Sequence, residues 1–407
     1  MVGLDFGCVL VRPFARGLSP VQRRSYTAIR MPYKILWLPT PPSEGCASMD
    51  RYWRELEREF RAPGLGEFEV CCALGDAPPA TRQAPRLLRI WNKYFRLPRL
   101  VGRTGDAQIA HVLDHSSAHF LRRIPAGVAK VVTVHDLAPL EDPDGLTPAQ
   151  LERFRRTVSN IRLADLLLAD SAHTARAITA FLREERNVQV LPLGVRAEQF
   201  ARPGELRPGL VLPPCPRILS VGSALRRKNL RILPDVLGAV RNAFGPVALI
   251  RVGARLDETV RGRLHEAIGP ESVVELGNCA DDELTALFHQ ADLLLFPSTL
   301  EGFGLPLLEA MAAGCPVVSS DASSLPEVGG DDVLYFRPGH PSEAAAQIVS
   351  LLRQPRLRED LIERGRRRAA EFSWANHAQK LAGHYRTLAE ITKQQVSARW
   401  QKDRERQ

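Results

Sequence analysis

The 407-residue chain lacks any cysteine pair at metal-ligand spacing. Its seven cysteines (Cys8, Cys46, Cys71, Cys72, Cys215, Cys279 and Cys315) are odd in number and scattered, with no CxxC and no His/Cys cluster. That excludes a zinc-finger class and a disulfide scaffold, and points to a reducing, cytoplasmic setting. Cys71 and Cys72 fall in a strand-like run, where small buried residues are expected. No apolar stretch approaches the roughly 18–20 residues that cross a bilayer. The longest, Val128–Val134 and Leu166–Ala169, have strand length. The N-terminus has basic residues but no clean apolar segment ending in a small-residue cleavage site, so a signal peptide is not expected. Met31-Pro32-Tyr33 reads instead as the opening of an α/β domain, and residues 1–30 as a disordered upstream extension. Internal repeats and low-complexity tracts are also missing, which excludes solenoids and arrays.

An excess of positive charge is present, but its placement matters more than its size. Of the net +9, residues 1–30 contribute +4 and residues 393–407 contribute +3, leaving +2 on the body. A nucleic-acid partner usually requires a coherent basic face on the folded domain, so none is expected. The composition is 44% apolar and 25% charged, the globular average, and the length calls for two domains rather than one core.

Short, continuously apolar runs alternate with helical patterns along the body. One series is Ile35–Leu38, Glu69–Leu74, Gln108–Val112, Val131–Val134, Leu166–Ala169 and Val188–Leu191. A second is Arg217–Val221, Ala248–Val252, Val273–Leu276, Leu293–Phe296, Val317–Ser319 and Val333–Phe336. Strands of this kind are covered by helices on both faces. Two successive βαβ series predict an α/β chain of two Rossmann-like, doubly wound parallel-sheet domains facing a central cleft. The expected divisions are 31–200 for an N-terminal acceptor-side domain, a Pro/Gly-rich linker at 201–216, and 217–372 for a nucleotide-binding domain. A crossover helix at 373–395 and a basic tail at 396–407 follow.

Three segments carry candidate chemistry. Leu293–Phe296 runs into Glu301-Gly302-Phe303-Gly304-Leu305-Pro306 and on to Glu309. Pro306 suits the first turn of a helix that Gly314 ends, and bare amides at a helix start suit a pyrophosphate. Carboxylates accept paired hydrogen bonds from vicinal hydroxyls, so Glu301 and Glu309 could hold a hexose and a ribose. On the residues alone, a generic strand–loop–helix with a solvated and a capping glutamate fits equally well. The second segment, Ile218–Val221 followed by Gly222 and Arg227-Lys228-Asn229, offers two cations for a diphosphate, or a solvated helix cap. The third places His135, with Asp136, at the carboxyl end of Val131–Val134, to donate to a sugar oxygen or to stand as a structural histidine. Asp136 is expected to orient its loop or cap the next element.

The run Glu301 to Glu309 resembles the Glu-x7-Glu signature of retaining glycosyltransferases of the GT-B fold, specifically the large family 4. Arg227-Lys228-Asn229 resembles that family's basic triplet, and Thr133-Val134-His135-Asp136 its T-[IV]-H-D segment. The resemblance covers residues 31–392. It implies that Glu309 binds the nucleotide ribose, and that Glu301 contacts the transferred sugar beside the Gly302, Phe303, Gly304 and Leu305 backbone. Gly222, Arg227 and Lys228 would face the diphosphate, with His135, Arg227, Lys228 and Glu301 catalytic. Ser223 stands where some members carry a phosphate-binding Arg, Leu193 where Asn is usual, and Ser43-Glu44-Gly45 has one glycine where many have two. Phe372-Ser373-Trp374 resembles the family's terminal crossing segment. The implied substrates are a nucleotide sugar, such as GDP-mannose, and a glycan or lipid-linked acceptor, with no cofactor and no metal. Asp142-Pro143-Asp144 reads as a turn rather than a metal motif. Seven basic residues and no acid lie between Arg82 and Arg103, with Arg86, Arg89, Lys93 and Arg96 on one helical face. That face is a candidate for peripheral contact with anionic lipid, or a solvated face of a sheet-packing helix. The competing functional readings are a non-catalytic sugar-nucleotide-binding subunit and another GT-B enzyme, such as a nucleotide-sugar epimerase.

Overall fold

The computed structural model describes residues 32–39, 47–72, 101, 106–143 and 145–405. Residues 1–30, the Ser43-Glu44-Gly45 loop, Asp144 and the basic run 82–103 (Val101 aside) lie outside the described residues.

All twelve expected strands are present, within a few residues of the expected limits. β1 (Tyr33–Leu38), β2 (Phe68–Cys72), β3 (Ile109–Val112), β4 (Ala129–Val134), β5 (Leu166–Ala169) and β6 (Val188–Val190) form a sheet in the order β2-β1-β3-β4-β5-β6. β7 (Arg217–Gly222), β8 (Ala248–Gly253), β9 (Val273–Glu275), β10 (Leu293–Phe296), β11 (Val317–Ser320) and β12 (Leu334–Phe336) form a second, in the order β12-β11-β10-β7-β8-β9. The pairing is parallel, as in β1–β3, β3–β4, β7–β8 and β7–β10. Central strands β3, β5, β10 and β11 are buried along their whole length, the pattern that helices on both faces impose. In the second sheet the chain order reverses between β7 and β10. Loops that follow two such strands diverge and leave room for a ligand.

The chain forms two compact units. One gathers the described residues up to Val134, Phe154–Leu168 and the chain from Ala378 onward; the other gathers His135–Arg153 and Ala169–His377. The second unit's core joins Ile218, Leu249, Leu293 and Val318 from its strands to Val236, Leu237, Leu264 and Ile348 from helices Leu233–Phe244, Glu258–Ile268 and Pro341–Arg353. Within this unit the Leu193 turn and the Phe372 segment meet. The Val195 amide donates to the Phe372 carbonyl at 2.7 Å, and His377 Nδ1 lies 2.8 Å from the Pro192 carbonyl.

The first unit contains a polar chain inside an aromatic cluster. Trp37 Nε1 donates to the Tyr385 hydroxyl at 2.9 Å, and that oxygen lies 2.6 Å from His111 Nδ1. His111 Nε2 lies 2.8 Å from Thr133 Oγ1, which in turn is 3.3 Å from the Tyr52 hydroxyl. A phenol that accepts from Trp37 can give its proton to His111 Nδ1 in the Nε2–H tautomer of the imidazole. Burial pushes the Tyr385 phenol well above its ordinary range, so it stays a donor. Tyr385 comes from the helix Trp374–Glu405, so this core is completed by the end of the chain. One expectation is corrected here: Cys71 is exposed and Cys72 only half-buried, because β2 is the outermost strand of its sheet. Tyr385→Phe should cost about 1–3 kcal/mol, since it removes the partner of two buried polar groups while keeping the ring. An unchanged urea midpoint would show that the chain of hydrogen bonds contributes nothing.

Candidate active site

The expected site residues converge at the reversal point of the second sheet, all within the second unit. After β7 the chain passes Gly222 and makes one tight turn, Arg226–Lys228, which Asn229 ends in the left-handed region at φ 53°. After β10 it runs through Glu301 into the helix Leu305–Ala313, with Pro306 in the first turn and Gly314 at the end. The two loops are tied together by backbone bonds. The Thr299 amide donates to the Arg227 carbonyl at 2.7 Å, and Arg227 Nη1 donates to the Leu300 carbonyl at 3.1 Å. Across this tie Glu301 Oε1 accepts from Lys228 Nζ at 2.5 Å, and Oε2 faces Arg227 Nη1 at 3.4 Å. The side chains of Glu301, Lys228 and Arg227 are only 8, 14 and 19% exposed, so this is not a solvent-screened surface pair. Lys228 Nζ also lies 5.3 Å from the centre of the Phe296 ring, a cation–π contact at the end of β10.

The Glu301 backbone is fixed from a third loop. Its amide donates to Ser323 Oγ at 2.8 Å, while Ser324 Oγ reaches the carbonyls of Glu301 at 3.0 Å and Phe303 at 2.9 Å. Ser323 itself sits at φ 54°, a conformation few non-glycine residues adopt. Gly302 is dictated by space: a Cβ there would stand 2.0 Å from the His135 carbonyl oxygen. That close approach brings the loop after β4 against the Glu301 loop. Thr174 Oγ1 bridges the same place, 3.3 Å from the Gly302 carbonyl and 3.4 Å from that of His135. His135 is buried, and its Nδ1 lies 2.7 Å from Asp170 Oδ2, also buried. A carboxylate takes the Nδ1–H, which fixes the neutral tautomer and steadies the ring if it becomes charged. Asp136 orients its own loop, accepting from the Ala138 amide at 3.1 Å, and its other oxygen lies 3.9 Å from Arg227 Nη2.

Gly222, Arg227, Lys228, Glu301, Gly302 and His135 are thus brought together by the fold. Gly304 caps the helix at φ 111°, a backbone only glycine adopts without strain, and Leu305 is the first helical residue. Phe303 is buried edge-on to Phe372, at 5.9 Å between ring centres, and serves as an anchor. Glu309 is buried on the same helix. Sequence reasoning assigned no role to Asp170, Thr174, Ser323 or Ser324. Asp170 alone gave a signal, as a polar residue directly after a buried strand, the position His135 holds after β4. Among the described residues no group of three or more His, Cys, Asp or Glu could hold a metal ion. No described helix is long and apolar enough to cross a membrane.

Comparison with known proteins bears on the family and the fold. The family described as glycosyl transferases group 1 matches residues 211–368, which contain both tied loops. The MMP α-(1→4)-mannosyltransferase of Mycolicibacterium hassiacum is 31% identical over 381 residues, covering 84% of this chain and 85% of that protein. The O-antigen chain mannosyltransferase B of Escherichia coli is 41% identical over 102 residues, 25% of this chain and 27% of that protein. Sucrose-phosphate synthase from Thermosynechococcus elongatus superposes with a TM-score of 0.70 at 20% identity, over 88% of this chain and 99% of that one. Anabaena HepE in complex with UDP and glucose gives 0.65 at 21% identity, over 87% and 100%. With two six-stranded parallel sheets of the GT-B kind and a 31%-identical relative along most of its length, the chain belongs to the group 1 glycosyltransferases.

Proposed function

We propose that this glycosyltransferase moves a hexose, with mannose as the first candidate, from a nucleoside-diphosphate donor such as GDP-mannose to a glycan or lipid-linked acceptor, with retention of anomeric configuration. The observation that carries the proposal is the Lys228–Glu301–Arg227 cluster at the reversal point of the second sheet. Departure of a nucleoside diphosphate puts negative charge on the phosphate oxygens. Lys228 and Arg227 stabilise that charge where it develops, which makes a metal ion unnecessary. Without donor, Glu301 is the counter-ion of both cations. With donor, the phosphates take over that role, and the carboxylate is released to accept from sugar hydroxyls. Lys228 has three donors and Arg227 five, so each can serve phosphate and carboxylate together. Glu309 takes the ribose hydroxyls in this reading.

With its oxygens engaged by sugar hydroxyls and by what remains of the Lys228 and Arg227 contacts, Glu301 positions the sugar rather than attacking it. Retention then follows from departure of the diphosphate on the face the acceptor hydroxyl approaches. His135, held by Asp170, receives or donates a hydrogen bond at a sugar oxygen. Mannose is favoured because the two relatives are named mannosyltransferases. A peripheral contact with anionic lipid through residues 82–103 completes the proposal for a lipid-linked acceptor, at the inner face of a membrane.

In a thermal-shift screen of GDP-, UDP-, dTDP- and ADP-sugars, one nucleotide class should raise Tm by a few degrees, since ligand at 100 times Kd adds about 2.7 kcal/mol. No shift with any of them would remove the donor assignment. Lys228→Ala should lower kcat/KM by about 10²–10³-fold with the fold retained, and wild-type turnover in this variant would sink the site. Reversing the charge of Arg86, Arg89, Lys93 and Arg96 should weaken sedimentation with anionic liposomes, and equal binding would end the membrane proposal.

A further inference from the structure

The β8 strand carries one residue that a buried strand should not. Arg251 is 1% exposed, in the run Ala248–Gly253 otherwise made of apolar residues and terminal glycine. Its guanidinium reaches across to the end of β7. There Nη2 donates to the Gly222 carbonyl at 2.5 Å and to the Ser223 carbonyl at 2.9 Å, while Nη1 lies 3.4 Å from Ser220 Oγ. Among the described residues no carboxylate forms an ion pair with it. Glu275, which acts on it through space, is engaged by Arg261 Nε at 2.7 Å and by the Leu256 amide at 2.8 Å. Burial pulls the group down to about 10, which still leaves it charged at neutral pH.

A buried arginine with no carboxylate partner is costly, and a role at the loop it touches offsets that cost. In a trans peptide the carbonyl and the following N–H point in opposite directions. Holding the carbonyls of Gly222 and Ser223 toward Arg251 therefore turns the N–H groups of Ser223 and Ala224 away from it. Those peptides lead into the Arg226–Lys228 turn, whose cations face Glu301. The buried charge also polarises both peptides in the sense that makes their N–H ends more positive.

We infer that Arg251 is a positioning residue for the donor's diphosphate. It acts from behind the loop after β7, setting the Ser223 and Ala224 amides as an anion-binding pair beside Lys228 and supplying a positive charge beneath them. This inference rests on the donor site proposed above. It predicts a contribution confined to the phosphates, because the base and ribose do not depend on these two peptides.

The test compares GDP, UDP, dTDP and ADP with the corresponding nucleosides, by isothermal titration of the full chain. Arg251→Met, similar in length and uncharged, should bind the preferred diphosphate about tenfold more weakly and leave the nucleoside unchanged, as loss of a charged hydrogen-bond donor implies. Arg251→Lys should recover most of the loss. If Arg251→Met does not fold, Arg251→Gln is compared in the same way. Equal weakening of nucleoside and diphosphate would reduce Arg251 to general structure and overturn the inference, as would unchanged diphosphate affinity. Wild-type chain that binds none of the four diphosphates would overturn the donor reading and this inference with it. The wild-type titration alone separates that failure from failure of Arg251.

Discussion

The carboxylate of Glu301 between Lys228 and Arg227 is the interaction on which the rest of the site depends. It joins the loop after β7 to the loop after β10, and the backbone bonds from Thr299 and Arg227 hold the same junction. Three partly buried charges in one place are stable only as a set. Removing the acid would leave two cations with no counter-ion, and removing a cation would leave a buried carboxylate short of a donor. In the donor reading proposed above, a diphosphate would share these two cations with Glu301.

Around that core the protein uses small groups to hold backbone in place. Ser323, Ser324 and Thr174 each touch a main-chain atom of residues 301–303, and Gly302 lets the His135 carbonyl approach. The Asp170 carboxylate holds the His135 ring from the opposite end. None of these groups has to meet a substrate to matter. Their common effect is that Glu301 and His135 cannot shift independently, which is how a site on loops attains the rigidity of a site on strands.

Much of this was legible in the sequence, for a physical reason. Strands covered on both faces must be continuously apolar, so twelve of them stood out, and chemistry in such folds follows strand ends. Glu301, Lys228 and His135 all obey that rule. Arg251 broke it, and a lone arginine within an apolar run gives no sign of which carbonyl it will meet. Serine and threonine are equally opaque, because Ser323 and Thr174 reach partners 22 and 128 residues away. Cys71 misled because an apolar run does not reveal whether its strand is central or outermost.

The compact units are not contiguous in sequence, and this bears on the order in which the chain can mature. His135–Arg153 belongs with a unit whose remaining part starts at Ala169, and the other unit takes in the chain from Ala378 onward, including Tyr385. Proteins with contiguous domains can finish the first during synthesis before the second emerges. Here the first unit's core cannot close in that vectorial way, because the Trp37–Tyr385–His111 cluster waits for residue 385. Every strand of the first sheet has been made by Val190 and of the second by Phe336, so the first sheet waits for its closing helix while the second is synthesised, which makes that helix a checkpoint for biogenesis as well as a part of the architecture.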